Sequence, residues 1–206
     1  MTKPNPANPT LSISRPDLAS ALEQIGAEIE HQPLRSSALA RIMRETFHGS
    51  DAGGTWDWRM AYDLMQATAV QALLRGDNSE DDYYAAKLLA SRLLTETRRS
   101  EQQIRLQQFS TPLPFAALTV RAAAIRKGET VLEPSAGTGA PAAFAARAGA
   151  TLLLNEIDPF RQRLLRAVFG GEVTGHDGEH IDDLLQTPVL PDVVVMNPPF
   201  ASSVDR

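Results

Sequence analysis

Residues 130–140 read Thr-Val-Leu-Glu-Pro-Ser-Ala-Gly-Thr-Gly-Ala, and this stretch decides the fold. A short run rich in apolar and β-branched residues predicts a strand, and the glycines that follow it predict a tight turn. Pro141 comes next, and proline is common in the first turn of a helix. The stretch therefore predicts a strand, a Gly-rich turn and a helix. Backbone N–H groups at such a helix start bind nucleotide-type ligands.

The sequence beyond this stretch repeats the alternation of short apolar runs and helical segments. Strands are predicted at 130–133, 151–155, 172–174 and 192–196. Helices are predicted near 141–147, 159–169 and 179–185. Strands that alternate with helices form right-handed βαβ units around a buried parallel sheet. We therefore expect an α/β fold with a Rossmann-like parallel sheet of four strands.

Residues 14–106 predict an all-helical module that precedes the sheet. Apolar residues recur there at helical spacing, as in the stripe formed by Leu18, Leu22, Ile25 and Ile29. Ser14 with Asp17 has the spacing of a capping box, and Ser79 with Asp82 predicts the start of a fourth helix. The sequence thus predicts two parts, a helical module at 14–106 and a sheet domain at 107–206.

Composition excludes several classes of protein. The chain has 206 residues and a formal net charge of −5, so any nucleic-acid contact must come from a local basic patch. It has no cysteine, which excludes disulfides, thiolate metal sites and a cysteine nucleophile. No apolar run approaches the roughly 20 residues of a membrane helix, so we expect no membrane contact and a cytoplasmic location. The Pro-rich residues 1–13 are predicted to be a disordered tail.

An acidic residue follows the second predicted strand. Glu156 comes 17 residues after Gly139, close to the spacing of about 20 at which nucleoside-binding folds place an acid on the ribose hydroxyls. We interpret Glu156 as the ribose ligand. Asp158 precedes Pro159 and is predicted to cap the next helix. Residues 137–142 also fit the dinucleotide pattern G-x-G-x-x-A, which keeps a nicotinamide dinucleotide as an alternative.

The third predicted strand is followed by Gly175-His176-Asp177-Gly178. At this edge of the sheet, Asp177 is a candidate to bind the amino group of an adenine ring, and the alternative is that it only shapes the turn. His176 and His180 beside Asp177 and Glu179 are residue types that bind metals. Histidines in solvated loops are more common, so we predict no metal.

The fourth predicted strand ends in Asn197-Pro198-Pro199-Phe200. The exocyclic amine of a base is a poor nucleophile, because its lone pair is delocalised into the ring. The side-chain oxygen of Asn197 and the carbonyl of Pro198 offer two acceptors for its protons, which leaves the lone pair facing a methyl donor. Phe200 is expected to stack on a flipped-out base, and the alternative is a proline-rich turn with a core Phe. We predict that Asn197, Pro198, Pro199 and Phe200 form the catalytic site.

Five segments, taken in order, resemble class I S-adenosylmethionine-dependent methyltransferases of the γ type, which methylate adenine N6 in DNA. The segments are residues 108–112, residues 133–139, Glu156, Asp177 and the tetrapeptide at 197–200. The resemblance implies a cofactor, S-adenosyl-L-methionine, and a DNA partner with a flipped-out adenine. It implies that the cofactor contacts Phe109, Thr111, Pro112, Glu133, Pro134, Ser135, Ala136, Gly137, Gly139, Glu156, Ile157, Asp177, Gly178 and Asn197.

Residues 111–118 and 154–159 also resemble the methylase part of large bacterial Strawberry notch-like helicase-methyltransferase proteins. Methyltransferases of this kind have three further strands after the tetrapeptide, so we expect residues 107–206 to be a partial domain. Further C-terminal segments of the same protein, or a partner, would complete its sheet. Related enzymes use the same tetrapeptide on RNA bases and protein glutamines. Those substrates, and a non-catalytic interaction module, are the alternatives, whereas C5-cytosine methylation is excluded because it needs a cysteine.

Overall fold

The computed structural model describes residues 15–76, 81–96, 110–185 and 190–198. The helices in these ranges are α1 (Arg15–His31), α2 (Ser36–Thr46), α3 (Trp58–Arg75), α4 (Asp82–Ala90), α5 (Leu113–Ala122), α6 (Ala140–Arg147), α7 (Pro159–Phe169) and α8 (Ile181–Leu184). The strands are β1 (Thr130–Glu133), β2 (Thr151–Asn155), β3 (Val173–Thr174) and β4 (Val193–Val194). The predicted α/β class and the predicted parallel sheet are confirmed.

The four strands form one parallel sheet in the order β3-β2-β1-β4. Strand β1 pairs with β2 from Thr130 opposite Thr151, and with β4 at Val131 opposite Val193. Parallel neighbours need a crossover connection, and α6 provides it between β1 and β2, as α7 does between β2 and β3. The carboxyl ends of all four strands therefore lie at one edge of the sheet, with the end of β1 between those of β2 and β4.

Helices from both halves of the sequence share hydrophobic clusters. One cluster joins α1, α2 and α3 to Phe160 and Leu164 of α7. A second cluster joins α3 and α4 to α5 and to Phe144 of α6. Helix α3 therefore packs against α6 and α7, which begin at the carboxyl edge of the sheet.

The structure corrects the predicted start of the fourth helix. Its N-cap is Asp81, whose carboxylate accepts hydrogen bonds from the backbone N–H groups of Tyr83 and Tyr84. The sequence predicts Ser79 for this role, and Ser79 lies outside the described residues. Aspartate and serine side chains make the same kind of capping hydrogen bond, and Asp81 is two residues closer to the helix than Ser79 is. The spacing in the sequence therefore did not distinguish Asp81 from Ser79.

Other element boundaries also differ from the prediction. Helix α5 is not predicted, although its buried residues Leu113, Ala116, Ala117 and Val120 have helical spacing. The predicted helix at 179–185 is a 3₁₀ turn (Gly178–His180) followed by the four residues of α8. Strands β3 and β4 contain two residues each and are shorter than predicted, although the backbone N–H groups of Asp192 and Val195, on either side of β4, also donate to carbonyls of β1. The predicted tail 1–13, Ser14, Phe109, Pro199 and Phe200 lie outside the described residues.

Candidate functional site

The turn after β1 contains two glycines with different surroundings. Gly137 has φ 58° and Gly139 has φ 90°, a region that favours glycine. A Cβ on Gly137 would meet no atom within 4 Å, whereas one on Gly139 would lie 2.6 Å from Phe169 and 2.9 Å from Leu165. Packing against α7 therefore explains Gly139. At Gly137 the space beside the Cα atom is open to a ligand, whereas at Gly139 the corresponding space is filled by side chains of α7.

Glu156 is held at the end of β2 by backbone N–H groups. The N–H of Gly137 donates to Oε2 at 2.7 Å, and the N–H of Asp158 donates to Oε1 at 2.8 Å. The side chain is only 4% exposed. Burial raises the pKa of Glu156, and the positive charge of Arg161 opposes that shift. Each carboxylate oxygen can accept a second hydrogen bond, so Glu156 keeps acceptor capacity, and its role as ribose ligand stays a prediction.

Glu133 ends β1 and is also buried, with 3% of its surface exposed. The backbone N–H of Ala142 donates to its carboxylate, but Oε2 has no hydrogen-bond partner among the described residues. Burial, together with repulsion by Glu156, raises the pKa of Glu133 well above its ordinary value. An unpaired buried carboxylate oxygen is costly, so a cation or a donor bound beside Glu133 would offset that cost.

Sequence analysis missed Asn155, which joins the turns after β1 and β3. It is fully buried. Its amide nitrogen donates to the carbonyls of Pro134 (2.8 Å) and His176 (2.9 Å), and its oxygen accepts from the N–H of His176 and the hydroxyl of Thr174, both at 2.8 Å. These four bonds use the whole capacity of the amide. The signal in the sequence was a polar residue at the end of a buried strand.

Asp158 and Asp177 both cap helical turns. The Oδ1 atom of Asp158 accepts from the N–H groups of Phe160 and Arg161 at 2.9 and 3.0 Å, which confirms the predicted cap of α7. The Oδ1 atom of Asp177 accepts from the N–H of Glu179 at 3.1 Å, so Asp177 does shape its turn. Asp177 is exposed, and its second predicted role, binding adenine, stays a prediction.

Asn197 and Thr111 meet beyond the end of β4, although 86 residues separate them. The amide nitrogen of Asn197 donates to the Thr111 hydroxyl at 3.1 Å. That bond orients the amide and leaves its oxygen outside the bond as an acceptor. The structure thus brings two of the predicted site segments together. Pro112 and Pro198, their neighbours in sequence, are exposed.

The other predicted cofactor contacts are divided between buried and exposed positions. Pro134 and Ala136 are buried and shape the turn after β1, while Ser135 is half-buried. A Cβ on Gly178 would lie 3.2 Å from the carbonyl oxygen of Pro134, so Gly178 lets two turns approach closely. Ile157 is 55% exposed and offers an apolar surface beside Glu156.

Helix α3 contributes buried charges that lie behind the turn at residues 156–158, here called the Glu156 turn. Arg161 donates through Nε and Nη2 to Oδ1 of Asp63, at 3.1 and 2.9 Å. Arg59 donates through Nη2 to Oδ2 of Asp158. Burial by itself would raise the pKa of Asp158, but Arg59 and the N–H of Arg161 hold that pKa below its ordinary value. The sequence offered no sign that α3 reaches this edge of the sheet.

Within residues 15–76, 81–96, 110–185 and 190–198, no three His, Asp or Glu side chains are grouped in a way that could hold a metal ion. The helices in the same ranges lack the length and apolar composition needed to cross a membrane. No family model, no curated protein and no solved structure matched the chain. The function is therefore argued from the residues of the site.

Proposed function

We propose that this chain is an S-adenosylmethionine-dependent methyltransferase domain that methylates N6 of adenine in DNA, as part of a larger helicase-containing protein. One observation carries the proposal: three predicted motifs converge at the carboxyl edge of the sheet. The Gly137 turn follows β1, Glu156 follows β2, and Asn197 bonded to Thr111 follows β4. The order β3-β2-β1-β4 is that of the first four strands of a Rossmann-like sheet, in which nucleotides bind at this edge.

The residues at this edge suit S-adenosylmethionine. Glu156 offers acceptors for the ribose, and Asp177 offers a carboxylate for the adenine amino group. The unpartnered Oε2 of Glu133 suits a positively charged group, and the methionine part of this cofactor carries an ammonium. A nicotinamide dinucleotide would instead bring a negative pyrophosphate to a turn flanked by Glu133 and Glu156. A dinucleotide would also leave residues 109–112 and the tetrapeptide at 197–200 without a role, whereas S-adenosylmethionine as the methyl donor gives a role to both.

Bound S-adenosylmethionine supplies an electrophilic methyl group. The part played by the chain is to hold the amine that receives it. The bond from Asn197 to Thr111 orients the amide, so its oxygen can accept a hydrogen bond from one N–H of the amine. The carbonyl of Pro198 is the second acceptor. Acceptors that are fixed in advance stabilise the positive charge that develops on the amine nitrogen, and they need no covalent link between base and protein.

Cofactor binding is tested by calorimetry on Glu156→Ala. We expect S-adenosylmethionine affinity to fall about 10- to 150-fold, because a hydrogen bond to a charged group contributes about 1.5–3 kcal/mol. Glu179→Ala is the matched control, since Glu179 is an exposed acid on the 3₁₀ turn. Thermal unfolding of both variants shows that they are folded. Equal affinity in Glu156→Ala and wild type would remove Glu156 from the site.

Methyl transfer is tested with Asn197→Ala. We expect transfer to adenine-containing DNA to fall at least about 100-fold, the scale of losing one preorganised polar group, while cofactor affinity changes far less. Met196→Ala is the control, because Met196 is a half-exposed neighbour without a polar group. RNA and a glutamine peptide are assayed beside DNA. Transfer to one of them alone would reassign the substrate, and cofactor binding without any transfer would favour a non-catalytic module.

A further inference from the structure

We infer that Arg59 and Asp63, on α3, are positioning residues that hold the turn at 156–158 and so set the geometry of Glu156. The helical part of the chain would then determine how the candidate cofactor site is arranged. The identity of the ligand rests on the proposed function, whereas the positioning of Glu156 is independent of it.

The first step of the argument is the pair formed by Asp63 and Arg161. Asp63 is 2% exposed and Arg161 is 4% exposed, so water does not screen the pair. Two donors of Arg161 bond to one oxygen of Asp63. Arg161 lies in the first turn of α7, immediately after the Glu156 turn. Asp63 therefore anchors the start of α7 to α3.

The second step is a continuous series of hydrogen bonds from α3 to the Gly-rich turn. Arg59 donates to the carboxylate of Asp158. The backbone N–H of Asp158 donates to one oxygen of Glu156, and the other oxygen accepts from the N–H of Gly137. A shift of Asp158 would therefore move a bond that fixes Glu156.

The third step is the balance of charge. Three carboxylates and two guanidinium groups make these contacts, namely Asp63, Glu156, Asp158, Arg59 and Arg161. Glu133 and Arg163 lie close enough to interact electrostatically with Glu156 and Asp158, respectively. Both guanidinium groups pair with the aspartates, whereas Glu156 accepts its hydrogen bonds from backbone N–H groups. Glu156 is thus left to accept from a ligand. Without Asp63, Arg161 would be a buried cation beside Glu156 and would compete for it.

Arg147 provides a control that separates positioning from general stabilisation. It is also buried and also ties the two halves of the chain, because it donates to Asp82 of α4 and to the carbonyl of Leu73 of α3, both at 2.7 Å. Arg147 is the last residue of α6, whereas Gly137 lies before the first residue of that helix. Loss of Arg147 should therefore cost stability without altering the Glu156 turn.

The test measures native-state amide exchange on the full chain, with NMR as the readout. In Asp63→Asn, we expect exchange at the amides of Gly137 and Asp158 to become at least about tenfold faster, because their acceptor is no longer held in place. In Arg147→Gln, compared at the same margin below its melting temperature, both amides should keep the wild-type rate. Faster exchange in both variants would show a general loss of stability and overturn the inference.

A second variant covers the case in which Asp63→Asn does not fold. Asp63→Asn/Arg161→Gln removes both charges of this pair together, so neither partner is left facing an uncharged one, and it should show the same faster exchange. Wild-type rates in either folded variant would overturn the inference. Titration with S-adenosylmethionine completes the test, and we expect at least about tenfold weaker binding in these variants than in Arg147→Gln. If wild type binds no cofactor while the amides respond, the proposed function fails and the positioning role stands.

Discussion

Glu133 and Glu156 are two buried carboxylates at neighbouring strand ends, and they differ in their hydrogen bonding. Both oxygens of Glu156 accept from backbone N–H groups, whereas Oε2 of Glu133 has no partner among the described residues. Burial raises the pKa of both carboxyls, and repulsion by Glu156 adds to the rise in the pKa of Glu133. Ionisation of Glu133 is therefore costly in the folded chain, and a cationic ligand bound beside it would offset that cost.

At this residue scale, we predict that Glu133→Gln is more stable than wild type at pH 7 and binds S-adenosylmethionine at least about tenfold more weakly. The raised pKa means that, above about pH 4, the folded state keeps a proton that the unfolded state releases. The wild-type free energy of unfolding therefore falls with rising pH, by at most about 1.4 kcal/mol per pH unit for this group, until its raised pKa is passed. Glu133→Gln has no carboxyl at this position, so its free energy of unfolding does not show this decrease.

Denaturant unfolding from pH 4 to pH 8 measures the first effect, and calorimetry measures the second. The matched control is Glu172→Gln, because Glu172 is exposed. Wild type and Glu133→Gln should have similar stability at the acid end and diverge as pH rises. Parallel stability curves would show that Glu133 does not keep its proton on folding.

The turn between β1 and α6 carries the prediction at the scale of elements. Gly139→Ala should cost about 2–4 kcal/mol, because the left-handed backbone is strained and the new Cβ would overlap Phe169 and Leu165. Gly137→Ala should cost only about 1–2 kcal/mol, because its Cβ would enter open space. Denaturant unfolding measures both values.

The same two variants should rank in the opposite order when ligand affinity is measured. Gly137→Ala would fill the space at the backbone where a ligand can approach, so it should weaken S-adenosylmethionine binding more than Gly139→Ala does. Calorimetry on both proteins gives the comparison. If Gly137→Ala binds like wild type, the open face of Gly137 does not belong to the site.

Local patterns predicted most elements, and contacts between elements account for the errors. The cap of α7 by Asp158 follows from the sequence, because the bond spans only two or three residues. The ends of β3 and β4 do not follow from the sequence, because pairing with a neighbouring strand decides where a strand ends. Strand β4 is at the edge of the described sheet, and Val194 there is 49% exposed.

For the whole molecule, we predict that the helical part and the sheet unfold in one cooperative transition. Phe160 of α7 is 1% exposed and packs in the cluster of α1, α2 and α3. Phe160→Ala should therefore lower the free energy of unfolding by about 3–5 kcal/mol and affect both parts. Fluorescence of Trp56 and Trp58 reports the helical part, and NMR signals of β1 and β2 report the sheet.

The midpoints from the two probes should coincide in wild type and shift together in the variant. Leu190→Ala is the control, because Leu190 is 85% exposed. A sheet that unfolds at a different denaturant concentration from the tryptophans would show that the two parts are independent. The predicted boundary near residue 106 would then also be a boundary in folding.

The sequence by itself determined the α/β class, the parallel direction of the strands and the residues that follow β1, β2 and β4. Each of these properties depends on the spacing at which apolar residues recur, or on turn residues that are neighbours in the chain. The tertiary structure decided the position of β4 beside β1, the burial of Glu133 and the reach of Arg59 and Asp63 to the Glu156 turn. In the sequence, Arg59 and Asp63 have the spacing of an ordinary solvated ion pair on a helix. Only the packing of α3 on α7 brings Asp63 to Arg161, 98 residues away, because a contact between distant residues leaves no local pattern.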